Sequence, residues 1–144
     1  MRAVADTNVY ISALNFGGAP EDVLGLGREG AVQLFISPSI LREVEGVLLR
    51  KFHWSARNAR EAIAAIQEFA QVVRPKATVR VITEDESDNR ILECALEARA
   101  DVVITGDRHI QQLRTFQGIS IVSPREFLEA RGASWLRGLR PPGS

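Results

Sequence analysis

Met1-Arg2-Ala3-Val4-Ala5-Asp6-Thr7-Asn8 opens the chain, and its reading decides the fold. Ala3, Val4 and Ala5 read as a short buried strand that runs straight into an acid. In an open α/β sheet, ligands sit outside the C-terminal ends of the strands. Asp6 is therefore either a cap for the helix that follows or the first wall of an acidic pocket. Capping is the plain alternative, because Asp and Asn are common N-caps and turn residues. Three later acids, Glu43, Asp88 and Asp107, favour the pocket.

Working outward, Val102-Val103-Ile104 is a continuous apolar run, the pattern of a strand buried on both faces. Thr105-Gly106-Asp107 follows at its C-terminal end. Val32 to Ile36, Val79 to Ile82 and Ile119 to Val122 supply three further expected strands. Between them lie helical patterns. Val9, Ile11 and Leu14 have helical spacing before the Gly17-Gly18-Ala19-Pro20 breaker, and Glu21 to Glu29 reads as a second helix. Ser37-Pro38 is a helix start, with Ser as N-cap and Pro in the first turn. Ile40, Leu41, Val44, Val47 and Leu48 then form one apolar stripe, with Glu43 at its edge. Trp54-Ser55 opens a long helix to about Val73.

The Thr83–Asp88 stretch carries four acids and no base. Asp88 begins a helix whose inward face is Ile91, Leu92, Ala95, Leu96 and Ala98. A first-turn Asp suits the helix dipole, yet that does not account for a wholly acidic run. Ser123-Pro124-Arg125-Glu126 is a capping box for a last helix. The alternation of strands and helices predicts an α/β fold with a parallel sheet and helices on both faces. The acids that follow its strands then share one edge.

The 144 residues suit one domain with a real core. Basic and acidic residues balance at 18 each, so overall charge gives no argument for nucleic acid. Cys94 is the single cysteine, which excludes an internal disulfide and reads as buried filler. No apolar run approaches the ~18 residues of a membrane span, and no signal-peptide pattern is present. The expected location is the cytoplasm, with no membrane partner.

Converged carboxylates repel: two full charges ~4 Å apart cost about 4 kcal/mol at an effective dielectric of 20. A protein keeps such a cluster to hold a hard cation or to share a proton. All-oxygen donors without a His/Cys set favour Mg²⁺ or Mn²⁺ over zinc. The matching chemistry is phosphoryl transfer or phosphodiester hydrolysis.

Asp6-Thr7-Asn8-Val9 after a first strand, Glu43 on the third helix, Ser87-Asp88-Asn89 opening a helix, and Val103-Ile104-Thr105-Gly106-Asp107 resemble the PIN-domain ribonucleases. The Ser123–Leu128 ending is similar to the PIN-family toxins of bacterial and archaeal toxin–antitoxin systems. The resemblance covers residues 1–131 and leaves 132–144 as an expected flexible tail. It implies a three-layer α/β/α fold with a five-stranded parallel sheet in order 3-2-1-4-5. It also implies an Mg²⁺- or Mn²⁺-dependent endoribonuclease acting on RNA, with a cognate antitoxin and a homodimeric state. Carried over by residue, Asp6, Glu43, Asp88 and Asp107 are the metal site, and Asn8 and Thr105 orient water or the ligating acids. Asn89 stands where related sequences often carry another acid. Arg42, Arg90, Arg108 and His109 flank the acids, where they contact phosphate or pair with carboxylates.

Two rivals stand beside this reading. One is a non-catalytic PIN module that binds RNA or protein; the presence of all four acids weighs against it. The other is a haloacid-dehalogenase-like phosphatase with Asp6 as a covalent nucleophile. That class usually has an acid two residues later, where this chain has Asn8, and a lysine, of which none follows Lys76.

Overall fold

A four-residue strand with three fully buried residues anchors the sheet. β1 (Arg2–Ala5) lies between β2 (Gln33–Ile36) and β4 (Val102–Ile104) and is parallel to both, with Val4 opposite Phe35 on one side and Val103 on the other. Ala3, Val4, Ala5, Val102, Val103 and Ile104 are all fully buried, as strands covered on both faces must be. The structure is a computed structural model that describes residues 1–130. The expected domain limit at 131 and the expected tail over 132–144 lie outside the described residues.

The sheet has six strands in the order β3-β2-β1-β4-β6-β5. β3 (Ala70–Val72) pairs with β2 and β6 (Ile119–Val122) pairs with β4, both parallel. These five parallel strands follow the order the resemblance implied. The sixth is a correction: β5 (Thr115–Phe116) adds an antiparallel edge to β6. Gln117 and Gly118 turn that hairpin with φ of 49° and 82°, the left-handed pair that a type I′ turn requires. A two-residue strand shows no periodicity, so the apolar pattern did not reveal it.

The third strand is also not where the apolar alternation put it. α4 (Ala56–Phe69) stops short of Val73, and Ala70–Val72 leaves the helix in extended conformation to pair with β2, while Val73 N donates to Ile36 O at 2.8 Å. Val79 to Ile82 stays out of the sheet. Val79 and Ile82 are still buried, but side chains rather than a neighbouring strand take up their backbone groups. Glu93 accepts from Val79 N at 2.9 Å. Asn89 accepts from Val81 N at 3.1 Å and Ile82 N at 2.9 Å, and donates to Ile82 O at 2.8 Å. The segment is a strap laid over α5 (Asp88–Glu97).

Helices flank the sheet. α1 (Thr7–Phe16) is capped by Asp6, and α2 (Gly18–Arg28) follows after one residue, Gly17, whose φ of 77° turns the chain. The breaker is therefore shorter than expected, and α2 begins before Glu21. α3 (Pro38–Arg50) has the expected Ser37 cap on Ile40 N. α6 (Arg108–Gln111) is a single turn capped by Asp107. α7 (Pro124–Ala130) opens on the expected capping box: Ser123 Oγ accepts from Glu126 N, and Glu126 returns the bond to Ser123 N. Cys94 is fully buried, as expected of filler.

Candidate functional site

The C-terminal ends of β1 and β4 place two acids side by side. Asp6 N donates to Ile104 O at 3.0 Å, and Thr105 N donates to Val122 O at 2.9 Å, so the sheet ladder continues into both segments. Asp6 turns the chain into α1 by accepting from Val9 N at 3.0 Å through Oδ1. Its Oδ2 accepts from the Thr105 hydroxyl. Thr105 Oγ1 in turn accepts from Asp107 N at 2.9 Å. One buried hydroxyl thus ties the two acid-bearing segments together. Asp107 Oδ1 caps α6, accepting from His109 N at 2.8 Å and Ile110 N at 3.1 Å. Capping and pocket were alternatives for Asp6 on sequence; the structure has Asp6 as a cap through one oxygen and bonded to the Thr105 hydroxyl through the other, with the charges of Asp107 and Glu43 acting on it.

Asp88 comes to these two from the other side, on the first turn of α5. Its Oδ2 is buried and has no hydrogen-bond partner among the described residues. Ligand atoms of Asp88, Asp107 and His109 all lie within 4.8 Å of one another. Glu43, half-buried on α3, completes the group electrostatically, since its charge and that of Asp107 both act on Asp6. The buried Thr7 hydroxyl leans on the Glu43 carboxylate without closing a bond of normal geometry.

A family model described as PIN domain matches residues 2–109, a span holding every acid of this group. The chain belongs to the PIN-domain family. A relative over most of its length is the uncharacterized protein MJ1680 of Methanocaldococcus jannaschii, 31% identical over 142 residues that cover 90% of each chain. Two solved structures share the fold. One is a chain of VapBC2 from Rickettsia felis, bound to a DNA fragment from their promoter, with TM-score 0.62, 16% identity, and coverage of 84% of this chain and 97% of that one. The other is a chain of VapBC-1 from nontypeable Haemophilus influenzae, with TM-score 0.61, 16% identity, and coverage of 87% and 99%.

The charge state of this PIN domain follows from burial and crowding. Asp6 is pushed up to about 6, first by burial and then by the charges of Asp107 and Glu43, against the opposing bonds from Thr105 and Val9. Asp88 is pushed up to about 7 by burial, then by Asp107, Asp85 and Asp6. Glu43 is raised by burial and by Asp85, with Thr7 opposing. Groups raised in this way favour a bound proton or a bound cation.

Other expected residues have different placements. Asn8 stands exposed at the start of α1, while Thr7 beside it is buried. Asn89 is fully buried and spends its amide on the strap. Arg90 is committed to Glu86 at 3.0 Å and Glu93 at 2.9 Å, so it braces α5 and the strap rather than standing free for phosphate. Asp85 is exposed and accepts from Ser87 N and Oγ. On sequence His109 is a group flanking the acids and nothing more. Its position two residues after an acid that caps a one-turn helix was the available signal.

Proposed function

We propose that this PIN domain is an Mg²⁺- or Mn²⁺-dependent endoribonuclease that hydrolyses RNA phosphodiesters and is the toxin of a toxin–antitoxin pair. The carrying observation is the buried, unpartnered Asp88 Oδ2 facing the capped Asp107. A buried charged oxygen without a donor is costly, and a divalent cation offsets that cost. The donors fit such an ion, since hard divalent cations take carboxylate oxygens and complete their shell with water and phosphate oxygens. In this reading Asp6, Glu43, Asp88 and Asp107 hold it. When bound, it supplies Lewis acidity toward the phosphodiester and the attacking water.

The chain's own groups set the geometry. Thr105 fixes Asp6 against the Asp107 segment, and the two caps hold each carboxylate in one rotamer, so little reorganisation accompanies the reaction. Asn8, at the start of α1, orients water or substrate. Arg42 and Arg108, both exposed, meet the RNA backbone. An RNA substrate puts the place of action in the cytoplasm; among the described residues no helix is long and apolar enough to cross a membrane. The antitoxin partner and a homodimeric state belong to the same reading, supported by the family resemblance. Membership of the PIN family sets aside the phosphatase reading, and the four retained acids argue against a non-catalytic module.

The test is cleavage of a mixed RNA pool by purified protein with Mg²⁺, with Mn²⁺ and with EDTA, and with Asp6→Asn prepared identically as the contamination control. Cleavage that needs metal and disappears in the variant is expected. Undiminished cleavage in EDTA, or equal cleavage by the variant, would overturn the assignment.

A further inference from the structure

We propose that His109 is a nitrogen ligand of the cation held by Asp88 and Asp107, and that it makes the site prefer a first-row transition-metal ion to Mg²⁺. The proposal rests on the metal-dependent reading above and adds a ligand of different chemistry to it.

The geometry carries the argument. Donor atoms of Asp88, Asp107 and His109 lie within 4.8 Å of one another. Two ligands about 2.1 Å from one ion, on opposite sides of it, are about 4.2 Å apart, so a small side-chain adjustment brings all three to bonding distance. The imidazole is available. His109 Nδ1 is 3.9 Å from Asp107 Oδ1, beyond hydrogen-bond reach, and that oxygen already accepts two backbone N–H groups. Two carboxylate oxygens are available as well. Asp107 Oδ2 takes no part in the cap, and Asp88 Oδ2 is buried without a donor. The backbone bond from His109 N to Asp107 Oδ1 fixes acid and imidazole in one turn, so the pair is presented as a unit.

Donor type then decides selectivity. Mg²⁺ prefers oxygen and holds its waters tightly, whereas imidazole binds later first-row ions better, in the Irving–Williams order. A carboxylate-only site would discriminate weakly between Mg²⁺ and Mn²⁺. Adding one imidazole to the carboxylates makes the site favour Mn²⁺, and Co²⁺ more strongly.

The experiment uses the full chain without RNA. Mn²⁺ binding is titrated by electron paramagnetic resonance, Mg²⁺ is measured by competition, and nitrogen coupling to bound Mn²⁺ is read by electron spin echo envelope modulation. His109→Gln and Asp107→Asn are compared with wild type, and each variant's metal-free melt is recorded. Wild type is expected to show nitrogen coupling. His109→Gln should lose it, weaken Mn²⁺ binding by about 10-fold or more and alter Mg²⁺ binding by less than about 3-fold, scaled to the loss of one ligand-level interaction. Asp107→Asn should weaken both ions. If wild type binds Mn²⁺ without nitrogen coupling, or His109→Gln keeps the Mn²⁺-to-Mg²⁺ ratio, the proposal falls and the metal-dependent reading stands. If Asp107→Asn binds Mn²⁺ with coupling intact, the ion lies elsewhere and the proposal falls. If wild type binds neither ion, both fall.

Discussion

The two halves of the acidic site are built by different means. Asp6 and Asp107 grow out of β1 and β4, whose backbone ladder continues into both segments. Asp88 hangs from α5, whose approach is a strap pinned by the side chains of Asn89 and Glu93. One half inherits its position from the sheet, where every residue contributes a backbone bond. The other depends on two side chains, each answering for several backbone groups at once. The sheet half should therefore tolerate loss of a side chain in position while losing chemistry. The strap half should lose position first.

The largest effects come from the acids themselves. Asp6→Asn, Asp107→Asn and Asp88→Asn should each lower RNA cleavage by at least about 100-fold, the scale of losing an electrostatic group in a reacting site. The first two should still fold, because Asn also caps helices well. Initial rates on a defined RNA, together with melts of the same preparations, check this. An Asp6→Asn protein that melts well below metal-free wild type would make Asp6 a structural group alone.

Asn89→Ala tests the strap half. It strips the partners from Val81 N, Ile82 N and Ile82 O, and unsatisfied buried groups cost about 1–3 kcal/mol each before water relieves them. A loss of about 2–4 kcal/mol in urea unfolding is expected. Stability unchanged to within about 0.5 kcal/mol would mean that the strap is held by the burial of Val79 and Ile82 alone. Thr105→Val should cost less, about 1–2 kcal/mol, since it removes one hydroxyl from between Asp6 and the Asp107 amide. Its second signature is a further rise in the Asp6 pKa, readable by NMR titration.

The pH dependence joins the halves. Asp6 at about 6 and Asp88 at about 7 are both raised above the ordinary carboxylate value of 3.8. The folded state therefore binds protons more readily than the unfolded one. Their contribution to stability is fully present below about pH 4 and is lost as pH rises through 6 to 7. Metal-free protein should lose part of its stability across that window, and Asp6→Asn should flatten the loss. Saturating Mn²⁺ should raise the melting temperature at pH 7 by mass action. A metal-free melt that rises steadily from pH 5 to 7.5 would contradict this. The smallest effect is expected from Asp85→Asn, an exposed residue outside both halves. Surface changes of that kind stay within about 0.5 kcal/mol, roughly 2-fold in rate.

Legibility in the sequence followed the same division. β1 and β4 were readable because strands buried on both faces are apolar without interruption, and the caps at Ser37 and Ser123 were readable because capping chemistry is local. β3 was misplaced because Ala70–Val72 continues the apolar stripe of α4, and only its pairing with β2 separates the two. Val79 to Ile82 misled in the opposite direction, since burial under side-chain anchors leaves the same apolar pattern as burial in a ladder. Asp6, Asp88 and Asp107 stood out by their position at predicted element ends, and Glu43 by its place at the edge of an apolar helical stripe. The Thr105 link and the closeness of His109 to Asp88 depend on tertiary approach, which no local spacing reports.

The bond between Thr105 and Asp6 spans 99 residues, and Thr105 itself is held through Val122 O. During synthesis, then, the first acid leaves the ribosome long before the partner that fixes it. The pocket cannot close until β4 has docked beside β1 and β6 beside β4. A nascent or truncated chain that ends between residues 107 and 122 carries all four acids in sequence and still lacks the assembled site.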